Sequence, residues 1–388
     1  MGLANFEERL APVLALVAER ADWSNEHRRP DGEVFQALAA AGMLRMMAPS
    51  HYGGQGAEPE EFLAAVEAVG RIDGSAAWTM MTLNEEIGIA SAYLPAESMT
   101  SLLTDQPDII IAGSGVAVGR AVATAGGWLV NGRWKFVTGS PVADRLILAS
   151  LVRRDGADSG STRQPRQVCF ALVPVDDVVI EDTWQVAGLR GTGSNDVVLQ
   201  DVFVPDRWAG VIGGGDLPLP DTPFYRLANG LRFPFPKVGV AVGIARAALS
   251  EFDELARTKR PSLQPGLLAE RPSAQAAMAN AEALIGSGRA WVRDQVAALW
   301  SLACADRPIP APLHARVRLA SSYAVVSAIQ AVEELASAAG TTAGQLDGPW
   351  PRLLADVRAV GQHFMVAPHQ MQTAGRVLLG EQADDPAF

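Results

Sequence analysis

Three long alanine-rich segments occupy most of the chain after residue 225. They read VGVAVGIARAALSEFDELARTK, SAQAAMANAEALIGSGRAWVRDQVAALW and LHARVRLASSYAVVSAIQAVEELASAAG. Each is long enough for several helical turns, and stretches rich in Gly and Pro separate them. Long helices with small residues on their faces pack closely in antiparallel bundles. The last part of the chain is therefore predicted to fold as a helical bundle.

A region with a different sequence pattern precedes the bundle, from about residue 109 to residue 208. Short runs such as RLILASLV and QVCFALVPV are apolar and rich in β-formers, and DVVLQDVFVP alternates before it stops at Pro205. The stretch GWLVNGRWKFVTG reads as two strands around Asn131-Gly132, which is a strong hairpin signal. Strands and turns that recur at such close spacing predict a small β-barrel or sandwich.

The first hundred residues are predicted to be helical. Within EEFLAAVEAVGRI, four apolar residues share one face at spacings of three and four: Phe62, Val66, Val69 and Ile72. The loop PSHYGGQG precedes this helix. The order of these three sequence patterns predicts an α+β protein with three domains. They comprise a helical domain over residues 1–108, a β domain over 109–224 and a helical bundle over 225–388.

Charge and cysteine content exclude several classes of protein. The 32 Lys and Arg residues against 43 Asp and Glu residues give a net charge of −11, so no basic stripe is available to neutralise nucleic-acid phosphates. Two cysteines far apart in sequence form no disulfide framework, which fits a reducing cytosol. The N-terminus lacks a signal-peptide pattern, and no apolar run approaches the ~20 residues that span a bilayer. We expect a cytoplasmic protein without membrane association.

Metal and nucleotide motifs are absent from the sequence. It contains no HExxH motif and no cysteine cluster, and the six-residue spacing of His363 and His369 does not place both rings on one helical face. The glycine-rich stretch GSGVAVG fits neither the dinucleotide fingerprint nor the phosphate loop. We therefore expect neither a metal site nor an NAD-binding domain.

Stretches in all three predicted domains resemble the acyl-CoA dehydrogenase superfamily. They are MLRMMAPSHYGGQGAEPEEFLAAVEAVGRIDGSAAW, GGWLVNGRWKFVTGSPVADRLILASLV, AGLRGTGSNDVVLQDVFVPDRW and VGVAVGIARAAL. Their order and spacing extend the resemblance over nearly the whole chain. It implies an N-terminal helical domain, a middle β domain and a C-terminal four-helix bundle, with a flavin between them. It also implies a homotetramer or a dimer.

The distribution of acidic residues distinguishes two types of catalysis within that superfamily. A dehydrogenase needs a carboxylate base to remove a proton beside a thioester carbonyl. The superfamily supplies it either late in the chain or near the start of the first bundle helix. No Asp or Glu occurs between Asp221 and Glu251, or between Asp356 and Glu381. The late segment DVRAVGQHFMVAPHQMQTAGRVLLG instead resembles the oxygenase branch, whose aspartate–histidine pair is matched by Asp356 and His363.

His363 is the predicted catalytic residue. An imidazole titrates near neutral pH and can donate or accept a proton, whereas a carboxylate is a poorer neighbour for oxygen species that carry negative charge. His369, which lies beyond Pro368, is predicted to have no catalytic role. The resemblance implies reduced FMN or FAD from a separate reductase, dioxygen as co-substrate and a small substrate. The substrate is aromatic by default, and N- or S-oxidation stays open.

The same resemblance implies roles for further residues. The flavin-binding candidates are Phe136, Thr138, Ser140, Gly113 and Ser114, with Arg257 and Arg260 at a flavin phosphate. The substrate-binding candidates are Trp78, Thr192 and Ser194. Simpler explanations stay open: alternate faces of a strand for Phe136 and Thr138, a plain turn for the glycines, a core position for Trp78 and a solvated helix end for the arginines.

Two other functions also stay open at this point. The first is an acyl-CoA dehydrogenase or oxidase with an atypical base, which would be yellow as purified and would reduce an electron acceptor with acyl-CoA. The second is a non-catalytic helical scaffold, which would bind flavin in neither redox state.

Overall fold

The computed structural model describes residues 3–153, 167–213, 219–262, 265–385 and 388. The chain divides into two compact units. The first lies within Met1–Ala57, Thr79–Gln185 and Arg190–Tyr225, and the second within Glu58–Trp78, Val186–Leu189 and Arg226–Phe388. The predicted α+β fold, with helical N- and C-terminal parts and a β domain in the middle, is confirmed. The boundaries proposed for three separate domains, at 108 and 224, stay a prediction.

The first unit contains the helices of the N-terminal region. They are α1 (Leu3–His27), α2 (Gly32–Ala40), α5 (Ala96–Asp105) and all but the first turn of α4 (Gly74–Tyr93). Asp31 caps α2, because its carboxylate accepts hydrogen bonds from the amides of Glu33 and Val34 at 2.9 and 3.1 Å. Such a cap satisfies backbone donors that have no partner within the helix.

The strands of the first unit form one mixed sheet in the order β5-β6-β2-β1-β3-β4-β7. Their bounds are β1 Ile111–Thr124, β2 Gly127–Val137, β3 Arg145–Arg153, β4 Val168–Pro174, β5 Val179–Glu181, β6 Asn195–Pro205 and β7 Ala209–Ile212. β1 and β3 run parallel, and the other paired strands run antiparallel.

The hairpin predicted at Asn131-Gly132 is wrong. β2 runs through that position without a turn, and the turn lies earlier, where Thr124 pairs with Gly127. Gly126 supplies the positive φ of 77° that this two-residue turn needs. Asn131 instead bonds across to β6, because its amide nitrogen donates to the Asp201 carboxylate at 3.0 Å and its amide oxygen accepts from the Asp201 backbone at 2.8 Å. The pairing of β2 with β6 shifts register between Val130 and Gly132, which accommodates these two hydrogen bonds.

The second unit is helical. Its helices are α3 (Pro59–Gly70), α6 (Asn229–Arg232), α7 (Pro234–Thr258), α8 (Pro272–Cys304), α9 (Ala311–Ala339), α10 (Trp350–Val360) and α11 (His369–Leu378), with the first turn of α4. The small residues of α9 are buried at helical spacing, at Ala320, Ala324, Ala328 and Ala331. This is the pattern expected of closely packed bundle helices.

Helix α3 also belongs to the second unit and forms most of the apolar stripe predicted for it. Phe62, Val66 and Val69 are buried, whereas Ile72 lies beyond the helix end and is exposed, so its predicted place in the stripe is wrong. Arg289 of α8 holds α3 through Glu60 and Glu67, with nitrogen–oxygen distances of 2.8 Å to each. No helix of the described part of the chain is long and apolar enough to cross a membrane.

Candidate active site

His363 lies in the turn between α10 and α11, in the second unit. Its ring meets the Trp78 ring edge-on, with centroids 5.5 Å apart and an interplanar angle of 64°. The neighbouring Phe364 ring lies 4.8 Å away. Trp78 is itself buried. The structure therefore brings the predicted catalytic residue and one predicted substrate-binding residue into contact, although they are far apart in sequence.

The hydrogen bonding of His363 defines which nitrogen carries its proton. The backbone amide of Met365 donates to Nδ1 at 3.3 Å, so Nδ1 acts as an acceptor. A neutral imidazole has one N–H, which must then lie on Nε2. Burial, reinforced by the positive charges of Lys237 and Arg318, holds the pKa of His363 well below its usual range. At neutral pH the side chain is thus an uncharged Nε2–H donor.

Lys237 is a functional candidate that sequence reasoning missed. Its side chain is 1% exposed, and Nζ donates to the carbonyl oxygen of Phe233 at 3.1 Å. Nζ also lies 5.9 Å from the centroid of the Trp78 ring. Burying an ammonium is costly and is seldom met without a specific reason. The available signal was the single lysine in the otherwise apolar stretch FPFPKVGVAVG.

Asp356 has a different partner from the one that the resemblance suggests. Within the described residues no hydrogen bond joins it to His363; its Oδ1 accepts from the backbone amide of Leu189 at 2.5 Å. Leu189 has a φ of 53°, a backbone conformation that a leucine rarely adopts. Burial, reinforced by the charge of Asp73, raises the pKa of Asp356 to about 7. The carboxyl group therefore holds a strained backbone segment and titrates near neutrality.

Three of the predicted binding residues form a hydroxyl cluster in the first unit. The Ser194 hydroxyl lies 2.8 Å from that of Thr138 and 2.7 Å from that of Thr192. All three side chains are buried. The amide of Gly139 donates to the carbonyl oxygen of Thr192 at 3.0 Å, and the Ser140 hydroxyl donates to that of Gly193 at 3.5 Å. The stretches FVTGS and RGTGS are thus brought together as one network.

Phe136 precedes this cluster on β2 and is held in an unusual conformation. Its φ is 59°, and its side chain is 69% exposed. The Trp184 ring, which sequence reasoning did not single out, meets it edge-on at 6.1 Å. A strained backbone that displays a large apolar ring to solvent is typical of a binding surface.

The remaining flavin candidates are less closely grouped. Gly113 and Ser114 lie within strand β1, so the plain turn considered there is wrong, although the strand shifts register just after Ser114. A Cβ at Gly113 would collide with the Ile147 carbonyl oxygen of β3. Arg257 and Arg260 are exposed near the end of α7, and Arg257 pairs with Asp253 at 2.8 Å. Their predicted binding to a flavin phosphate stays a prediction.

His369 is exposed at the start of α11, where its Nε2 lies 3.0 Å from the amide nitrogen of Gln370. Throughout the residues that the structure describes, no three His, Cys, Asp or Glu side chains are grouped so as to hold a metal ion.

Comparison with known proteins agrees with this architecture. The model of "Acyl-CoA dehydrogenase, N-terminal domain" matches residues 6–94, and that of "Acyl-CoA dehydrogenase, C-terminal domain" matches residues 237–368. The chain is 32% identical to an indole-3-acetate monooxygenase of Pseudomonas putida over 92% of this chain and 89% of that protein. It is 29% identical to the oxygenase component of an FADH(2)-dependent resorcinol hydroxylase of Rhizobium sp. (strain MTP-10005), over 92% and 89% of the two chains.

A solved structure shows the same fold. The 3-HSA hydroxylase from Rhodococcus sp. RHA1 superposes with a TM-score of 0.87 at 26% identity, and the match covers 99% of both chains. The two domain models and the shared helical and β architecture define a flavoenzyme of the acyl-CoA dehydrogenase type. The chain belongs to the acyl-CoA dehydrogenase superfamily and, within it, to the flavin-dependent monooxygenases.

Proposed function

We propose that the protein is the oxygenase component of a two-component monooxygenase that hydroxylates a small aromatic substrate. Reduced FMN or FAD, delivered by a separate flavin reductase, supplies two electrons, so that one atom of dioxygen enters the substrate as a hydroxyl group and the other leaves as water. Two relatives support the aromatic substrate by their names, indole-3-acetate monooxygenase and resorcinol hydroxylase. The second is also an FADH(2)-dependent oxygenase component, which supports both a reduced flavin and a reductase.

The state of His363 is the observation that carries this proposal. It is a neutral Nε2–H donor, and its pKa is held low by burial and by Lys237 and Arg318. A group that resists protonation so strongly is a poor base for the weakly acidic carbon beside a thioester carbonyl. It is, however, suited to donating a hydrogen bond to an oxygen atom that gains negative charge. This argues against the alternative of a dehydrogenase with an atypical base.

The residues of the first unit fit a flavin. One edge of the flavin ring system carries nitrogen and oxygen atoms that need neutral donors, and its faces need apolar cover. The hydroxyl cluster of Thr138, Thr192 and Ser194 offers neutral donors, and the exposed Phe136 offers an aromatic surface. We assign Thr138, Ser140 and Phe136 to the flavin ring, with Gly113 and Ser114 beside them. Arg257 and Arg260 are assigned to its phosphate.

The residues of the second unit are assigned to proton handling and to the substrate. Nε2–H of His363 donates a hydrogen bond, while the Met365 amide keeps Nδ1 in the acceptor role. Trp78 restricts rotation of the imidazole by contact with its edge and presents an apolar surface to an aromatic substrate. Thr192 and Ser194, which belong to the first unit, remain candidates for substrate contacts.

The test supplies the purified protein with a flavin reductase, NADH and FMN or FAD, and uses resorcinol and indole as probes. We expect hydroxylated product that depends on both proteins and on oxygen. A protein that instead reduces an electron acceptor with acyl-CoA, and oxidises neither probe, would be a dehydrogenase. A homotetramer or dimer is part of the proposal, and sedimentation velocity measures it directly.

A further inference from the structure

Arg318 of α9 is a buried cation whose hydrogen bonding is incomplete. Its side chain is 0% exposed, and Nη1 donates to the carbonyl oxygen of Gly230 at 3.2 Å. Its Nε and Nη2 atoms are buried and have no hydrogen-bond partner in the described part of the chain. Leaving a buried charged donor unpaired is costly, and native proteins rarely do so without a functional reason. These two donors are available to an acceptor from outside the chain.

The two unpaired nitrogens suggest the shape of that acceptor. Nε–H and one N–H of Nη2 point the same way along one edge of the planar guanidinium. That edge can engage both oxygens of a carboxylate at once, which is the geometry for which arginine is best suited. The opposite side of the group is already held by Gly230. An anion with two oxygens therefore fits this unpaired edge better than a single carbonyl group.

The neighbours of Arg318 do not supply that anion. No acidic side chain of the described residues lies within ion-pair distance of the guanidinium. The negative charge of Asp385 raises the pKa of Arg318, but the Asp385 carboxylate accepts a hydrogen bond from Gln370 at 2.6 Å. Aromatic rings cover the rest of the group. Phe388 lies 5.3 Å from the guanidinium carbon and stacks on His314, whose buried Nε2 also has no partner.

The guanidinium belongs to the same surroundings as His363 within the second unit. Its acceptor Gly230 lies in α6, which leads directly into α7 and Lys237. Lys237 and His363 both contact the Trp78 ring. Burial lowers the pKa of Arg318 to about 10, so the group stays charged at neutral pH. The positive charges of Lys237 and Arg318 also reach His363, where both lower its pKa.

We propose that Arg318 binds the carboxylate, or an equivalent anionic group, of an aromatic substrate whose ring then lies beside Trp78 and His363. This inference rests on the proposed function, because it names the substrate class of the same site as an aromatic acid. Lys237 adds a second positive charge close to the same ring. The competing explanation is that Arg318 only anchors the chain around Asp385 and Phe388.

Calorimetric titration with a matched pair of probes tests the proposal. Indole-3-acetate and indole-3-acetamide share size and shape, but only the first is charged at pH 7. We expect the wild-type protein to bind the acid about ten- to a hundredfold more tightly than the amide, because a hydrogen bond between charged groups usually contributes that much to affinity. Arg318→Met should abolish this preference and leave amide binding nearly unchanged. Arg318→Lys should keep part of it.

Arg316→Met is the matched control, because Arg316 lies on the same helix but is exposed; it should keep the full preference. The proposal is overturned if the wild-type protein binds acid and amide equally or binds neither, if Arg318→Met keeps the preference, or if that variant loses both probes alike and unfolds at lower temperature. The last result identifies a structural anchor. Should Arg318→Met not fold, the partial preference expected of Arg318→Lys decides.

A parallel turnover assay separates this inference from the proposed function. Neutral indole, supplied with reduced flavin and oxygen, lacks the anionic group and should still be oxidised by the wild-type protein. If indole is oxidised but the acid is not preferred, only the anion subsite is wrong. If neither indole nor the acid is oxidised, the proposed function is wrong.

Discussion

The hydroxyl cluster of the first unit and the surroundings of His363 in the second unit are polar in different ways. Thr138, Thr192 and Ser194 are neutral and are joined by short hydrogen bonds. His363 instead has buried cations near it, and Arg318 keeps unpaired donors. A neutral hydrogen-bonded network holds its geometry whatever the pH, whereas a desolvated charged region shifts pKa values and attracts anions. The comparison supports the roles proposed above, cofactor positioning for the first region and hydrogen-bond donation and substrate binding for the second.

The largest effect is expected from His363→Ala. Loss of a positioned hydrogen-bond donor should lower hydroxylation by about a hundredfold or more, and hydrogen peroxide release should rise because reduced flavin still consumes oxygen. Binding of reduced flavin should change little, because the hydroxyl cluster is untouched. Product and peroxide are measured together in one coupled assay.

His369→Ala is the matched control for that variant, since His369 is exposed at the start of α11. It should behave as the wild-type protein does. Wild-type coupling of oxygen consumption to product in His363→Ala would instead remove the histidine from the mechanism and break the comparison.

Asp356→Asn should change how stability depends on pH. The pKa of Asp356 is raised by burial and by Asp73 to about 7 in the folded protein, above the value of an unfolded aspartate. The folded state then binds the proton more tightly, so this contribution to stability is present at low pH and is lost as the pH rises through about 7. The asparagine keeps an acceptor for the Leu189 amide but does not titrate.

Urea unfolding at pH 5 and pH 8 measures that difference. The free energy of unfolding of the variant, relative to the wild-type protein, should rise by about 2 kcal/mol between the two values. Asp73 and Arg352, which also act on this carboxyl group, are present in both proteins. A difference that is the same at both pH values would show that Asp356 does not titrate in this range.

Ser194→Ala tests the neutral region and should have the smallest effect. It removes the hydroxyl that joins Thr138 to Thr192, so we expect about tenfold weaker binding of reduced flavin, equal at pH 6 and pH 8. Ser150→Ala is the control, because the buried Ser150 hydroxyl in the same sheet has no hydrogen-bond partner in the described residues. Anaerobic titration measures both variants, and unchanged affinity in Ser194→Ala would separate the cluster from the flavin.

Much of the fold followed from local pattern, and the errors have physical causes. The helical bundle follows from long alanine-rich segments, and the β domain from short apolar runs. The turn was misplaced because Asn131-Gly132 and the real turn at Gly126 both offer glycine, and only pairing with β6 decides between them. The helical stripe was extended beyond its helix, because α3 ends at Gly70 and Ile72 lies two residues later.

The site was predictable only in part. The residue types of the hydroxyl cluster were recognised from the resemblance, but their mutual hydrogen bonds depend on tertiary structure. Arg318 and Lys237 were not recognised, because a charged residue in a helical segment is ordinarily solvated, and only packing reveals that these two are buried. The resemblance pairs Asp356 with His363, whereas its acceptor role toward Leu189 spans 167 positions of the chain.

Incorporation of ¹⁸O tests the central claim most directly. The protein, a flavin reductase, NADH, flavin and indole are incubated under ¹⁸O₂ in unlabelled water. The molecular mass of the product is then measured by mass spectrometry. A monooxygenase predicts one ¹⁸O atom in each product molecule, with no acyl-CoA required. Product whose oxygen comes from water, or no product while acyl-CoA drives reduction of an electron acceptor, would contradict the account.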